Sequence, residues 1–292
     1  MGQNSCDILL TGTMGNIGSE VRRSLESRGL SVVSMEIAQN TYRDEFGYHR
    51  ALRKLLAELT PAMIIPIGDS LALARAREFI PQGTAVAAGT EEQIRELSGK
   101  VSFSHLMSRL GIAQPRIFES VGQTGLPSAE QAASMHPDEG AQIIFKRDIS
   151  FGGHGVHRPR SVEALQQLID HQSPGEPYLI EEWIPGQDFS VDAIRFGRYF
   201  RASSYRVLQN VGGAGPSSER EVLHFPALEE TARRIMDAVG FIGLCGFDFR
   251  VNPEGKAFIL ECNPRFTGGI RSQIDAGFDI PYILYEHREE FL

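Results

Sequence analysis

Short apolar runs alternate with longer amphipathic stretches along the first hundred residues of the chain. The apolar runs have the length of buried strands and occupy residues 7–10, 30–35, 62–67 and 85–88. The stretches between them repeat apolar positions at helical spacing and occupy residues 19–28, 45–59, 69–79 and 91–110. Because parallel strands are joined by such crossover helices, the pattern predicts a Rossmann-like α/β unit over residues 1–99.

After about residue 111 the apolar runs come in pairs, joined by turns rich in glycine and proline. Strands are predicted at residues 141–146, 177–184, 189–194, 200–208, 243–251 and 256–262, and helices at residues 162–170 and 228–239. Residues 209–218 are predicted to be mobile. Adjacent strands with helices between them indicate an α+β unit over residues 100–292.

Composition and charge narrow the class of protein. The chain has 292 residues, and 41% of them are hydrophobic, which excludes a disordered or collagen-like protein. Its formal charge of -8 argues against a nucleic-acid partner, because phosphate binding depends on an excess of lysine and arginine. No apolar run has the length of a membrane span, and the N-terminus lacks the features of a secretory signal. We therefore expect a soluble cytoplasmic protein without a membrane partner.

The three cysteines are odd in number and include no CxxC pair. Cys6, Cys245 and Cys262 each lie in or beside an apolar run. We therefore predict buried, unreactive thiols, and neither a disulfide framework nor a thiolate metal site.

A glycine-rich turn, formed by Gly12, Gly15 and Gly18, follows the first predicted strand and opens the first predicted helix. With Glu36 at the end of the second strand, it resembles the short-chain dehydrogenase fingerprint, in which a helix N-terminus binds pyrophosphate. Those enzymes also need a Tyr-x-x-x-Lys pair. The four lysines of this chain are each preceded, four positions earlier, by a residue other than tyrosine: Arg50, Glu96, Gln142 and Asn252. The pair is therefore absent. We interpret the turn as structural and keep an NAD(P)-dependent oxidoreductase as the weaker alternative.

A lysine and a glycine loop form the first candidate nucleotide-binding segment. Lys146 ends a predicted strand and is followed by Ser150, Gly152, Gly153 and Gly155. The ammonium group is a point charge for a phosphate, and the glycines allow backbone N–H groups to fold over the β- and γ-phosphates. A solvated hairpin loop is the alternative interpretation.

A second candidate segment begins as an apolar strand that ends in acidic residues and turns at a Pro-Gly pair. After Glu181, the backbone around Ile184 offers a carbonyl and an N–H group to the edge of an adenine. The carboxylate of Asp188, after the turn, can accept hydrogen bonds from both hydroxyls of a ribose.

The third segment, residues 246–263, predicts a β-hairpin with an acidic end. Glu261 and Asn263 are two positions apart and share one face of their strand. A two-residue loop pairs Asp248 with Glu261, a four-residue loop pairs it with Ile259 on the same face, and an odd loop puts it on the opposite face. On one face, two carboxylates and an amide oxygen form an all-oxygen site suited to Mg²⁺ with bound phosphates.

In this order, the three segments resemble the ATP-grasp superfamily, which includes D-alanine–D-alanine ligase, biotin carboxylase and the synthetase halves of carbamoyl-phosphate synthase. The likeness extends from about residue 7 to about residue 277 and includes the segments 98–100 and 110–115. The resemblance implies a Rossmann-like pre-ATP-grasp domain at residues 1–99 and an α+β ATP-grasp domain at residues 100–292. Two subdomains would grip ATP, one of them a lid at about residues 112–180.

The resemblance also implies roles for the matching residues. The residues that would bind ATP are Lys100, Lys146, Ser150, Gly152, Gly153, Gly155, Glu181, Ile184 and Asp188. Among them, the lysines would contact the phosphates, residues 150–155 would close over them, and Glu181 and Ile184 would hold the adenine through backbone groups. Asp188 would hold the ribose.

The same resemblance implies the metal ligands and the catalytic groups. Asp248, Glu261 and Asn263 would hold two Mg²⁺ ions, for which Mn²⁺ can substitute, and Arg265 with Lys146 would stabilise the transferring phosphoryl group. The chain departs from the family at Asp188 and Asp248, where glutamate is common, and at the Ser-Gly pair before Lys100, where aspartate is usual. The aspartates keep the charge but shorten the reach by one methylene.

The implied reaction is ATP-dependent phosphorylation of a small carboxylate, followed by attack of an amine or a similar nucleophile and release of ADP and phosphate. Arg250, Gly268, Gly269 and Arg271 are the candidate residues for binding the substrate. A homodimer is compatible with this interpretation. A non-catalytic or regulatory ATP-binding protein of the same fold remains an alternative function.

Overall fold

Three β-sheets, one parallel and two antiparallel, organise the residues that the computed structural model describes, namely 4–12, 15–36, 44–121, 143–150, 153, 155–210 and 217–292. The parallel sheet consists of β1 (Asn4–Gly12), β2 (Val32–Glu36), β3 (Leu59–Pro66) and β4 (Ala85–Val86). Its strand order is β2-β1-β3-β4, with β1 pairing in parallel with both β2 and β3. The predicted alternation of strands and crossover helices is confirmed.

Helices cover both faces of this parallel sheet. They are α1 (Gly15–Ser27), α2 (Glu45–Glu58), α3 (Ser70–Arg75), α4 (Glu91–Ser98) and α5 (Lys100–Leu110), with a 3₁₀ turn at Arg77–Phe79.

The helix predicted over residues 91–110 is wrong in one respect, because the structure divides it at Gly99. This residue has extended backbone angles, φ -72° and ψ 123°, and it separates α4 from α5. The first turn of α5 is held instead by the loop after residue 147, since the carboxylate of Asp148 accepts a 2.8 Å hydrogen bond from the Val101 N–H group. The break therefore places Lys100 at the start of a helix, next to that loop.

A small antiparallel sheet follows. It consists of β5 (Ile117–Val121), β6 (Ile143–Arg147), β7 (Val156–His157) and β8 (Tyr178–Glu182), in the order β5-β8-β6-β7. Helix α6 (Val162–Asp170) packs Leu165 and Ile169 against Phe145 and Tyr178. This apolar cluster is separate from the others, so the small sheet and α6 carry their own core.

The central sheet is antiparallel and contains the remaining five of the described strands. It consists of β9 (Gln187–Phe196), β10 (Tyr199–Asn210), β11 (Ser217–Leu223), β12 (Gly243–Val251) and β13 (Ala257–Asn263), in the order β11-β10-β9-β12-β13. Of the segment predicted to be mobile, residues 211–216 lie outside the described residues, and the others extend β10 and β11. Helix α7 (Pro226–Val239) lies between β11 and β12 in the chain, and α8 (Ile270–Asp275), α9 (Ile280–Glu286) and a 3₁₀ turn (Arg288–Phe291) follow β13.

Two larger apolar clusters join the parallel sheet to the central sheet. Leu9 and Ile64 on one face of the parallel sheet belong to the same cluster as Val191 and Phe247 of the central sheet. Ile8 and Leu10, which point to the opposite face, pack with the C-terminal helices. The two faces of β1 are therefore both buried, which explains its uninterrupted apolar run.

The three cysteines are free and buried, as the sequence predicts. Within the part of the chain that the structure describes, no helix has both the length and the apolar character needed to cross a lipid bilayer.

Candidate functional site

A cleft of about 300 Å³ opens between the small sheet and the central sheet. Its walls include Lys146 on β6, Glu181 on β8, Asp188 on β9 and Glu261 on β13. All three segments that the sequence singles out therefore meet at one cavity.

Two buried lysines lie on one side of this cleft: Lys146 lines it, and Lys100 contacts Ser150 and Glu261, which also line it. The Lys100 ammonium nitrogen lies 3.2 Å from the Ser150 hydroxyl oxygen and 3.7 Å from a carboxylate oxygen of Glu261. Lys146 donates to the Leu260 carbonyl oxygen at 3.3 Å and lies 2.5 Å from a carboxylate oxygen of Glu181. The two lysines thus bring two positive charges to one end of the cleft.

Burial disfavours the charged forms of Lys100 and Glu181 on this side of the cleft. It lowers the pKa of Lys100, although the negative charge of Glu261 opposes that shift. Burial likewise raises the pKa of Glu181, which the charge of Lys146 opposes. A polyanionic ligand would stabilise the ammonium form of Lys100.

Oxygen-rich side chains on β12 and β13 lie beside the two lysines. Asp248 lies opposite Glu261 in the pairing of β12 with β13, and Asn263 lies two residues further along the same strand. The Asn263 amide nitrogen donates to Asp248 at 3.3 Å and to Glu261 at 3.2 Å, and its amide oxygen accepts from Arg265 at 2.9 Å. The structure therefore brings the predicted metal ligands and Arg265 together.

A β-bulge at Leu260 brings these groups to the same face. Val251 pairs with Ala257, which makes the hairpin loop odd in length, and this register alone would turn Asp248 away from Glu261. The register shifts after the pair of Phe249 with Ile259, so that Leu260 has no opposite residue. The extra residue corrects the register and directs its carbonyl oxygen to Lys146.

The electrostatics of the two facing carboxylates differ. Burial and the charge of Glu261 raise the pKa of Asp248 to about 7, despite a 2.6 Å hydrogen bond from the Ser190 hydroxyl. Burial would also raise the pKa of Glu261, but the charges of Lys100 and Lys146 outweigh it and the pKa is lowered. Asp248 and Glu261 thus place two mutually repelling carboxylates close together, and a bound cation would stabilise this arrangement.

The other end of the cleft is built around the connection between β8 and β9. Arg250 on β12 donates to the carboxylate of Asp188 and, at 3.0 Å, to the carbonyl oxygen of Ile184. Its guanidinium carbon lies 4.4 Å from the centroid of the Trp183 ring. These contacts place Arg250 at the end of the cleft predicted for adenine and ribose, whereas the sequence suggested a role in binding the substrate.

The glycine loop between β6 and β7 is described in part, and Gly152 lies outside the described residues. Gly153 has a φ of +79° and its carbonyl accepts from the Val156 N–H group at 3.1 Å. A Cβ atom on Gly155 would lie 2.4 Å from the Ser150 Cβ atom. Glycine at both positions therefore lets the loop fold back tightly beside Lys100.

Solved structures of similar fold include complexes with adenine nucleotides. The chain is similar to the biotin carboxylase domain of Hydrogenobacter thermophilus 2-oxoglutarate carboxylase, solved with MgADP, ADP and bicarbonate, at a TM-score of 0.75 and 16% identity. That match covers 97% of this chain and 70% of the other. A match to D-alanyl-alanine synthetase A of Vibrio cholerae has a TM-score of 0.72 and 14% identity and covers 98% of both chains.

Sequence comparison points to the same group of proteins. The large chain of carbamoyl phosphate synthase from Deinococcus deserti is 25% identical over 245 residues, which are 79% of this chain and 23% of that protein. The family described as "ATP-grasp in the biosynthetic pathway with Ter operon" matches residues 175–290. In both sequence and fold, the chain therefore resembles ATP-grasp proteins. It spans about a quarter of the length of the carbamoyl phosphate synthase chains that it matches.

Not every predicted substrate residue lies at this cleft between the small and central sheets. Gly268 lines it, and Gly269 follows at the start of α8. Arg271, in contrast, is half-exposed on α8 and pairs with Asp275 at 2.7 Å and Glu20 at 3.4 Å. Its position on the helix surface does not fit the predicted substrate contact.

The sequence analysis did not identify a buried polar cluster that lies next to the cleft. Asp192 accepts hydrogen bonds from the Thr267 hydroxyl at 2.9 Å and from the Gln273 amide at 3.4 Å. Arg220 lies over the ring of Tyr205, with 5.4 Å between the guanidinium carbon and the ring centroid. The sequence did contain a signal for this cluster, because Asp192 interrupts the apolar strand β9 and a buried carboxylate needs hydrogen-bond partners.

Replacing Asp192 with asparagine should change how stability depends on pH. Burial raises the pKa of Asp192 from 3.8 to about 6, so the folded state holds this proton more tightly than the unfolded state. The resulting stabilisation is present below about pH 4 and is lost as the pH rises to about 6. The asparagine variant should therefore gain stability relative to the wild type across this range, as measured by urea unfolding. A difference that stays constant with pH would contradict this expectation.

The front glycine turn has a structural explanation. A Cβ atom on Gly12, whose φ is +100°, would lie 2.6 Å from a carboxylate oxygen of Asp69. Asp69 is buried and accepts a 2.6 Å hydrogen bond from the Tyr48 hydroxyl. Close packing therefore requires glycine at position 12, without any dinucleotide.

Proposed function

We propose that the chain is an ATP-dependent, ADP-forming ligase that activates a small carboxylate as an acyl phosphate for attack by an amine or a similar nucleophile. The observation that carries the proposal is the position of Glu261, which lies 3.7 Å from Lys100, opposite Asp248 and within hydrogen-bonding distance of Asn263. Cationic groups for phosphates and oxygen ligands for a cation thus meet at one point of the cleft.

The donor set fits Mg²⁺. Asp248 and Glu261 offer carboxylate oxygens, the ligands that this ion prefers. The Asn263 amide, whose nitrogen donates to both carboxylates, would turn its oxygen from Arg265 toward the ion. Among the residues that the structure describes, no group of three acidic, histidine or cysteine side chains could enclose a metal. A site with two carboxylates and one amide leaves coordination positions for phosphate oxygens and water. When bound, Mg²⁺ would neutralise charge on the phosphates of ATP.

The chain's own residues would then do the remaining work at the phosphates. Lys100 and Lys146 would hold phosphate oxygens with their ammonium groups, and Arg265 would stabilise the phosphoryl group in transfer. The Ser150 hydroxyl, 3.2 Å from Lys100, would bring the glycine loop to the same phosphates. Closure of this loop would exclude water from the acyl phosphate.

The other end of the nucleotide would lie along the connection between β8 and β9. The Ile184 carbonyl oxygen already accepts from Arg250, so its N–H group would be the one to face the adenine edge. Asp188 would accept the ribose hydroxyls while Arg250 fixes its carboxylate. This assigns Arg250 to the nucleotide, not to the substrate.

For the domains, we infer a pre-ATP-grasp domain at residues 1–99, a Rossmann-like unit, and an ATP-grasp domain at residues 100–292. The parallel strand order β2-β1-β3-β4 supports the first assignment. Residues 112–180 would be the lid, and the separate apolar cluster of the small sheet supports its movement as one body.

The acceptor carboxylate would bind where the cleft meets the polar cluster around Asp192. A Cβ atom on Gly268, which lines the cleft, would lie at van der Waals distance, 3.6 Å, from the Arg220 guanidinium, so this positive charge lies at the wall of the cleft. Asp192 and the Tyr205 ring hold Arg220 there. We therefore assign the substrate carboxylate to Arg220.

The test of the proposed function is the release of ADP and phosphate from Mg²⁺–ATP in the presence of amino acids and small carboxylic acids. A ligase should release both products only when a particular acid is present, and faster when its nucleophile is added. ATP binding without product release from any acid would favour the regulatory alternative. Saturable NAD(P)H binding without ATP binding would favour the oxidoreductase.

Replacing Arg220 with glutamine should raise the KM for the acid found in that screen by about 10- to 100-fold, because a hydrogen bond to a charged group contributes about 1.5–3 kcal/mol. The matched control is Arg271→Gln, which removes a guanidinium from the surface of α8. It should leave the KM unchanged. Equal effects of both substitutions in steady-state kinetics would contradict the assignment of Arg220.

A further inference from the structure

The indole ring of Trp183 lies beneath two guanidinium groups. The guanidinium carbon of Arg158 is 4.3 Å from the ring centroid, and that of Arg250 is 4.4 Å from it. Both distances are in the range of strong cation–π contacts, for which tryptophan is the best partner. Trp183 is also the one tryptophan of the sequence.

The three residues of this stack come from different parts of the fold. Arg158 directly follows β7 in the small sheet. Trp183 directly follows β8, where the chain leaves the small sheet for β9. Arg250 lies on β12 of the central sheet. The stack therefore connects the small sheet to the central sheet across the segment that joins them.

The same stack reaches the proposed nucleotide contacts. Arg250 donates to Asp188 and to the Ile184 carbonyl oxygen, so the group that lies over Trp183 also fixes these two positions. Two positive groups that share one ring repel each other, and the carboxylate of Asp188 offsets that repulsion. The position of Arg158 on the small sheet thus bears on the geometry of Asp188.

We propose that Arg158 is a positioning residue for the nucleotide, acting through Trp183 and Arg250 on the connection between β8 and β9. Arg158 contributes no atom to the nucleotide itself. It holds the indole ring against Arg250 and so keeps Asp188 and the Ile184 N–H group in the arrangement that binds ribose and adenine. The inference rests on the proposed ATP-binding function and adds a residue to it.

Fluorescence of Trp183 tests the stack directly, since no other tryptophan contributes to the signal. In Arg158→Gln, acrylamide should quench Trp183 more strongly than in the wild type, with no nucleotide present. Arg158→Lys keeps a cation and should recover most of the protection. The matched control Arg160→Gln removes a neighbouring exposed arginine that has no cation–π contact among the described residues, and should behave as wild type.

Calorimetric titration with Mg²⁺–ATP tests the link to the nucleotide. Losing one cation–π contact should raise the Kd of Arg158→Gln roughly three- to tenfold, while Arg160→Gln keeps the wild-type value. The kcat of ADP release should stay within about twofold of the wild type, since no phosphate contact changes. Unfolding should shift by no more than about 1 kcal/mol, the value of one exposed cation–π contact, which separates positioning from a loss of fold.

Each outcome decides the inference. Unchanged acrylamide quenching in Arg158→Gln overturns the stack, and increased quenching with an unchanged Kd overturns the link to the nucleotide. A wild-type protein that binds no nucleotide overturns the proposed function, and the positioning role falls with it, while the quenching comparison still reports on the stack. Increased quenching together with a raised Kd and an unaltered kcat supports the inference.

Discussion

Replacing Glu261 with glutamine should abolish ATP turnover and leave the fold intact. The substitution keeps the shape of the side chain but removes one of the two carboxylates that face each other across β12 and β13. Loss of activity should be at least about a hundredfold, because replacing even the outer partners of metal ligands costs about 10- to 100-fold. ADP release measured at several Mg²⁺ concentrations is the readout.

A matched control exists in the same hairpin. Glu254 is exposed in the turn before β13, so Glu254→Gln makes the same chemical change outside the cleft. It should retain full activity and unfold within about 0.5 kcal/mol of the wild type. Glu261→Gln should also remain folded, because it removes the attraction to Lys100 together with the repulsion of Asp248. Full activity of Glu261→Gln would remove the basis of the metal assignment.

Replacing Lys146 with methionine should have the largest effect on stability. Lys146 and Glu181 form a buried ion pair at 2.5 Å, with side chains only 6% and 5% exposed. Removing one partner of such a pair leaves a buried charge without compensation and costs about 3–5 kcal/mol. Urea unfolding measures this loss, and calorimetry with Mg²⁺–ATP should show that the nucleotide no longer binds.

The double variant Lys146→Met, Glu181→Gln separates the two effects. It removes the uncompensated charge, so a large part of the stability should return, while nucleotide binding should stay lost. Burial already raises the pKa of Glu181, and removing Lys146 raises it further. A group with a raised carboxyl pKa loses its stabilisation as the pH rises, so the single variant should be least stable at high pH. Equal stability of single and double variants at high pH would contradict the buried pair.

Much of the fold follows from the spacing of apolar residues. Helix 162–170 and strand 243–251 have the predicted boundaries, because both are bounded by clear turn residues and carry a regular apolar pattern. The break at Gly99 escaped prediction because α4 and α5 continue one periodic pattern. The N–H groups of Lys100 and Val101 instead donate to Asp148, 48 and 47 positions away, and mark the second helix as a separate element.

The sequence also predicts only part of the candidate site. The residue types of Asp248, Glu261 and Asn263 indicate a cation site, but their shared face depends on the bulge at Leu260. A bulge has no signature in the alternation of apolar and polar residues, so loop length alone predicts the wrong face.

Side-chain contacts between residues far apart in the chain are equally hard to predict from the sequence. Arg250 shares a strand face with Asp248, which suggested a substrate contact, but its actual partners Asp188 and Ile184 lie more than 60 positions earlier in the chain. Arg271 looked close to the metal ligands along the chain, but α8 turns it toward Glu20 at the protein surface. Neither contact is a property of local sequence.

The apolar cluster shared by the parallel and central sheets limits how this protein can be recombined. A Cβ atom on Gly89 would lie 2.6 Å from the Phe241 ring, and Gln93 donates to the carbonyl oxygens of Val239 and Gly240 at 3.2 and 3.0 Å. Grafting the first hundred residues of another protein onto residues 100–292 would leave Phe241 without its matching surface. Exchanging the first hundred residues therefore requires that the residues around Gly89 be kept, or that both sides of the contact between Gly89 and Phe241 be redesigned.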